Sequence, residues 1–421
     1  MKTGYKQTPI GSIPKEWEVV RLGDISKVSS GNTAPQDKKY FENGKYPFIR
    51  VQHLSTLLEN KYPIICDFVN DLAVEELKLK KFKKGSIIFP KSGESIRLEK
   101  RAILREDSYV VNHLVVVEVF SNNVDTNFLY YYLSSLRTSS YLSKTTMPSL
   151  NLSVIKSFLI PLPPLPEQRK IAEILSTVDQ AIQKVDEAIA RTERLKRGLM
   201  QRLLTRGIGH REFKDTEIGR IPRKWEVVRL GDKKITEELF YGITAKAVDK
   251  DTGVKMLRTT DIKEYSVDWE KLPFCEITER RGNLTRYLLK KGDLIVARAG
   301  TVGVSILVDR DFDNVIFGSY LIKVKLKPSI HPKFVHYFFQ SSLYWKHLQK
   351  AQGSTLKNVN LPLLKSLKIP LPPLPEQRKI AEIFSIVDKK LELERKRKEK
   401  LERIKRGLMN DLLTGKKRVK I

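Results

Sequence analysis

The sequence predicts an α+β chain in which two mixed α/β globular domains are separated by an antiparallel two-helix coiled coil and related by an internal pseudo-two-fold repeat. Three observations predict it. Ile160–Asp179 reads IPLPPLPEQRKIAEILSTVD and Ile369–Asp388 reads IPLPPLPEQRKIAEIFSIVD, identical at eighteen of twenty positions. Each copy enters a long charged helical pattern that ends alike, ERLKRGLMQRLLT at Glu193–Thr205 and ERIKRGLMNDLLT at Glu402–Thr414. The offset is 209 in both places (369 − 160 and 402 − 193). Finally, Ile10–Asp24 (IGSIPKEWEVVRLGD) matches Ile218–Asp232 (IGRIPRKWEVVRLGD). A period of this length exceeds any solenoid repeat and has the size of a domain plus its helix.

The boundaries follow from these repeats. A first globular domain occupies residues 1–160, and a proline-rich lead-in with its long helix occupies 161–206. The second globular domain is 207–369, the second lead-in and helix 370–415, and a basic tail 416–421. Trp17–Leu22 alternates apolar and charged positions and reads as a strand, broken at Leu22-Gly23-Asp24. Ser29–Pro35 reads as loop. Pro47–Val51 and Lys255–Thr259 read as matching short strands, and Lys84–Phe89 and Lys291–Val296 as turns entering buried ones. The β-branched runs Val110–Val119 and Val315–Leu326 predict further strands, and Asn127–Arg137 and Pro332–Lys350 predict aromatic helices.

The tracts Pro161–Pro166 and Pro370–Pro375 lack most backbone donors and fix φ at their prolines, so they predict extended, rigid spacers. Pro166 and Pro375 suit a first helical turn, and Glu167 and Glu376 its positive end. From Glu167 to Leu204, one helix spans about 57 Å at ~1.5 Å per residue. Its stripe is Ile171, Ile174, Val178, Ala181, Val185, Ala188, Thr192 and Leu195. In the second copy Ile380, Ile383 and Val387 repeat it. Glu394 and Lys398 then interrupt it ahead of Leu401, Ile404, Leu408 and Leu412. A lone helix so charged is marginal in water, so the two copies are expected to pair, and near-identical elements pair most simply about a perpendicular two-fold axis, which is antiparallel. That arrangement places one globular domain at each end of a rod. Gly198 and Gly407 lie inside the helices and suggest either close backbone approach or a tolerated defect. Gly207 and Gly415 read as helix stops, and the tail Lys416–Ile421 as frayed.

Lys+Arg total 78 against 49 Asp+Glu, a net charge of +29. Self-repulsion on that scale points to a polyanionic partner, with a merely solvated basic surface as the alternative. Cys66 and Cys275 fall at matching places in separate domains, which predicts buried thiols without a disulfide and suits a reducing cytoplasm. No apolar signal core and no run of about eighteen apolar residues indicates secretion or a membrane span.

Catalytic signatures are absent from the sequence. There is no phosphate loop and no G-x-G-x-x-G after a strand, and the six histidines and two cysteines form no metal pattern. His113, inside an apolar run, reads as a core histidine. What remains is binding, and two unlike domains on two alike helices suit reading two short DNA sequences at a set spacing. Candidate DNA-binding residues are Lys91, Ser92, Arg97, Lys100 and Arg101 in the first domain, and Lys246, Arg258, Arg298 and Thr301 in the second. Arginine can bridge guanine, whereas lysine mostly neutralises phosphate.

The duplicated PLPPLPEQRKIAEI, the endings KRGLMQRLLT and KRGLMNDLLT, and the openings IPKEWEVVRLGD and IPRKWEVVRLGD together resemble the specificity (S) subunit of type I restriction–modification systems, across essentially the whole chain. The resemblance implies two target-recognition domains, each reading one half of an asymmetric bipartite DNA site, with the helices as a ruler. It implies a non-catalytic chain that binds two modification (methyltransferase) subunits and two restriction (ATP-dependent translocase/endonuclease) subunits. S-adenosylmethionine, ATP and Mg²⁺ are then expected in those partners and no cofactor in this chain. It makes Glu167, Gln168, Arg169 and Glu376, Gln377, Arg378, at the helix starts, candidates for helix pairing or subunit docking. The residues alone leave two other classes open. One is a DNA methyltransferase or nuclease acting alone, which S-adenosylmethionine binding by the purified chain would support. The other is a nonspecific nucleic-acid-binding architectural protein, marked by equal affinity for all duplexes.

Overall fold

The computed structural model describes residues 4–58, 66–141, 148–277, 284–352 and 358–420. The chain forms two compact units, Met1–Glu187 with Arg395–Ile421, and Ala188–Glu394. The two long helices, α1 (Leu165–Arg206) and α2 (Leu374–Leu412), each give one half to each unit. Among the described residues, no helix is long and apolar enough to cross a membrane.

Each unit opens with a hairpin, Tyr5–Thr8 with Gly11–Pro14 in one and Phe213–Thr216 with Gly219–Pro222 in the other. The next strand, Glu18–Arg21 or Glu226–Arg229, pairs antiparallel with the segment just before the long helix, Leu159–Leu162 or Lys368–Leu371. Half of each proline tract is therefore strand and not spacer. Pro161 and Pro370 are tolerated because each sheet has only two strands, so the missing donor faces outward. The helices start earlier than expected, at Leu165 and Leu374, with Pro166 and Pro375 in the first turn where no N–H is needed.

The centre of each unit is a four-stranded antiparallel sheet. Its order is Ser26–Ser30, Leu114–Val119, Ile87–Pro90, Ala102–Ile103 in the first unit, and Thr236–Tyr241, Leu321–Leu326, Leu294–Ala297, Ser305–Leu307 in the second. The strand Ser26–Ser30 takes in residues expected to be loop. In the first unit Val115, Val117, Ile87 and Phe89 face a core with Trp17, Phe128, Ile171 and Leu412. Leu114, Val116 and Ile88 face a second core with Phe48 and Tyr109. A strand covered on both faces needs no polar alternation, hence the unbroken apolar run.

The second layer is a smaller sheet: Asp67–Val69, Tyr46–Ile49, Tyr109–Val110, or Ala245–Val248, Phe274–Ile277, Lys255–Leu257, Val315–Phe317. The runs Val110–Val119 and Val315–Leu326 are thus each two strands in different sheets. A turn divides them, closed by Leu114 N–H to Val111 C=O (3.0 Å) and Leu321 N–H to Gly318 C=O (2.9 Å). Pro332–Lys350 is likewise two helices, Pro332–Phe338 and Ser342–Gln352. Both cysteines are free, and burial pushes the half-buried Cys66 thiol up to about 11.

Within each unit the helix halves run antiparallel. In the first, Asp179 meets Lys405 (2.5 Å) and Asp186 meets Lys398 (2.6 Å), numbers rising on one helix as they fall on the other. In the second, Lys196 meets Asp388 (2.7 Å), while Leu203 and Leu204 share a core with Ile380 and Phe384. A tyrosine completes each clasp: Tyr131 donates to Asp179 (2.9 Å) and Tyr337 to Asp388 (2.8 Å). The seam is thick only where a globular domain backs it. Elsewhere on the helices Val185, Thr192 and Leu391 are buried, whereas Leu195 and Ile404, expected in the stripe, are exposed. A straight helix drifts from a strict heptad repeat, which rotates those positions outward. Lys398, expected to interrupt the stripe, is half-buried and answered by Asp186.

Gly207 and Gly415 end the helices with φ of +63° and +68°, and a Cβ at Gly207 falls 2.6 Å from the Trp225 ring. Gly198 and Gly407 have no atom of the chain within 4 Å of an added Cβ, so no close approach explains them. The tail is docked, not frayed. Arg418 binds Glu167 (2.6 Å) and Glu16 (2.8 Å), and Val419 packs on the first core; Ile421 lies outside the described residues.

Candidate nucleic-acid interface

The repeated helix starts are internal ties. Glu167 is fully buried and accepts from Trp17 Nε1 (3.0 Å) and Arg418, while Gln168 binds Asp125 N–H, Asn123 C=O and Pro163 C=O (2.8 Å each). Glu376 accepts from Trp225 Nε1 (2.9 Å) and Ile208 N–H (2.9 Å) and faces His210 Nε2 (2.8 Å). Gln377 accepts from His331 N–H (2.8 Å) and donates to Pro372 C=O (2.9 Å). These four residues tie the globular domain to its helix; Glu167, Gln168 and Gln377 are buried and Glu376 is partly buried. Arg169 and Arg378 are exposed.

At one end of the strands of the central sheet several loops converge into a rim. In the first unit Lys91 N–H donates to His113 C=O (2.9 Å), Leu150 N–H to Lys91 C=O (2.8 Å), and Asn112 N–H to Asn32 C=O (2.6 Å). Ser92 Oγ lies 2.6 Å from His113 Nδ1. Arg50 follows the strand Tyr46–Ile49 into the same rim. The second unit repeats these bonds with other residues: Arg298 N–H donates to Tyr320 C=O (2.9 Å) and Val359 N–H to Arg298 C=O (2.9 Å). Lys91 and Arg298 are therefore counterparts, as are His113 and Tyr320. His113 is an exposed rim residue and not a core histidine, because the turn between the two sheets interrupts the apolar run there.

The predicted binding residues separate by environment. Lys91 and Ser92 stand on the rim. Arg97 is exposed but paired with Glu94 (2.9 Å), and Lys100 donates to Ser55 Oγ (2.7 Å). Arg101 is a correction. Its side chain is buried, bound to Glu99 Oε2 (2.7 Å), Leu136 C=O (2.8 Å) and Thr138 Oγ1 (3.1 Å), and cannot reach DNA. Burial opposes the charge on Glu99, but Ser139 N–H, the Thr138 hydroxyl and Arg101 together hold that carboxyl at about 2. In the second unit the loop that carries Arg298 and Thr301 approaches the one after Arg258, with Gly300 against Thr259. Arg258 is held by Asp261 through two bonds (3.0 and 2.8 Å). Lys246 lies outside the rim on the edge strand Ala245–Val248, opposite Glu276. Sequence reasoning missed Tyr320, Tyr241 and Asn358, which surround Arg298. Aligning the two modules residue by residue was the available signal.

One scaffold presenting two basic rims of different composition defines a protein built to distinguish two stretches of a polyanion. The chain belongs to the family described as type I restriction modification DNA specificity domain, which matches it twice, at residues 14–191 and 222–403. It is 31% identical over 421 residues to the type I restriction enzyme MjaVIII specificity subunit of Methanocaldococcus jannaschii, covering 97% of this chain and 94% of that one. It is 23% identical over 418 residues to the EcoKI specificity subunit of Escherichia coli, covering 90% and 84%. The S subunit structure from M. genitalium shares the fold, with a TM-score of 0.58 at 15% identity, covering 94% of this chain and 96% of that one.

Proposed function

We propose that this chain is the DNA specificity subunit of a type I restriction–modification complex, a non-catalytic component in which each globular domain reads one half of an asymmetric bipartite site. The observation that carries this reading is the repeat itself. The ties at Trp17–Glu167 and Trp225–Glu376 are the same in both units, whereas the rims carry different side chains at equivalent places. Constant attachment with divergent rims suits two half-sites of different sequence held at a fixed gap, with the helices setting the gap.

The same reading assigns two modification and two restriction subunits as partners, with S-adenosylmethionine, ATP and Mg²⁺ held there, in the cytoplasm. Exposed helix surface, including Arg169, Arg378, Gly198 and Gly407, is where the modification subunits dock. The net charge of +29 supplies the sequence-independent attraction to phosphate. Mapping methylated adenines in cells carrying the complete system tests the proposal. The expected result is one motif with two unlike halves and a constant gap; methylation without a bipartite motif contradicts it.

A further inference from the structure

Most arginines near the two rims are already committed. Arg50 is paired with Asp67 (2.5 Å), Arg97 with Glu94, Arg258 with Asp261, and Arg101 is buried. Arg298 differs. Its guanidinium stands over the Tyr241 ring, 4.8 Å from the centroid, and its Nε donates to Asn358 Oδ1 (3.2 Å). Among the described residues, no carboxylate pairs with Arg298, and no bond engages its two terminal nitrogens. Its backbone is fixed from both sides by Tyr320 and Val359. Beside it, Tyr320 is 63% exposed.

Resting on the function proposed above, we propose that Arg298 is a specificity-determining residue of the second domain, offering its guanidinium fork to a guanine in the major groove. Holding the side chain by its Nε and its flat face leaves two parallel N–H donors pointing away. That is the geometry that guanine O6 and N7 accept, and a point charge such as lysine does not reproduce it. The ring and the amide also remove rotamer freedom before binding, so less is lost when the contact forms. At the same place the first domain carries Lys91, whose ammonium has no planar fork; it neutralises backbone phosphate instead. The two rims then differ in mode of contact as well as in composition.

Phosphate also accepts arginine in bidentate fashion, so the test must separate base reading from charge. In cells carrying the complete system, methylated-adenine motifs are compared for the wild type, Arg298→Lys, Arg298→Ala and Lys91→Ala. Arg298→Lys keeps the charge and loses the fork. It is expected to relax one guanine position in one half-site by roughly 10-fold or more and to leave the other half intact. Lys91→Ala is expected to keep the motif while weakening DNA binding by the purified complex at all sequences and lowering its salt slope by about 1. An unchanged motif in both Arg298 variants overturns the inference, as does equal weakening at every sequence. If the wild type itself shows no bipartite motif, the specificity-subunit reading falls as well; if it shows one, only the role of Arg298 is at stake.

Discussion

Lys323 in the second unit and Val116 in the first occupy one place on the repeated central sheet. Val116 packs among apolar neighbours, and the buried Ser86 holds the place that Asp293 has in the second unit. Lys323, equally buried, donates to Asp293 (2.8 Å) and Leu288 C=O (2.9 Å) and lies over the Phe240 and Phe317 rings. One core uses van der Waals contact where the other uses a desolvated ion pair. At the junctions the relation reverses. Trp17–Glu167 and Trp225–Glu376 are chemically the same tie, and only the outer partner differs, Arg418 in one and His210 in the other. The repeat therefore preserves chemistry where domain meets helix and preserves only burial inside the domain. Attachment demands a defined angle, which directional hydrogen bonds supply; a covered sheet face demands only that polar groups be satisfied.

The sharpest break in that comparison is Lys323→Val alone. It strands the Asp293 carboxylate in the core and is expected to cost about 3–5 kcal/mol in urea unfolding. Adding Asp293→Ser, which installs the first unit's pair of residues, is expected to recover most of that loss, because an apolar replacement of a buried pair is often neutral. If the double variant is as unstable as the single one, the two cores are not interchangeable and the equivalence of Val116 with Lys323 is wrong.

A smaller effect separates the units by pH. Burial and the nearby Lys196 ammonium push His336 down to about 4, with Asp388 opposing and Lys333 adding to the shift. A base with a lowered folded pKa stays neutral in the native state while the unfolded chain takes up its proton. Its contribution is therefore present above the ordinary value of 6.5 and is lost as pH falls from there toward 4. In the first unit the Glu99 carboxyl is depressed instead, so its contribution survives to lower pH and is lost between 4.5 and about 2. Hydrogen exchange on acidification is expected to show loosening around His336 before loosening around Glu99. His336→Tyr, which places there the residue of the first unit, Tyr130, is expected to remove the earlier step. Simultaneous loosening in the wild type, or an early step that persists in His336→Tyr, counts against this assignment.

Much of the scaffold was legible because it is written twice. The helix ends at Gly207 and Gly415, the first-turn prolines and the tryptophan-bound Glu167 and Glu376 all sit where the repeats mark them. The rims were less legible, since they depend on where a strand changes sheets. The turn at 111–113 lies inside an apolar run, so His113 reads as core until that turn is known. Arg101 resembles any basic loop residue, and only the approach of Thr138 and Leu136 from a distant segment buries it. Lys323, flanked by Ile322 and Val324, carries no local sign that Asp293 will meet it across the sheet.

The central claim is that the two domains read independently from a common mount. Replacing residues 1–160 with the corresponding domain of another member of the family, then mapping methylated adenines in cells with the complete system, tests it directly. The account predicts one new half-site, with the other half and the gap unchanged. A motif altered in both halves contradicts it.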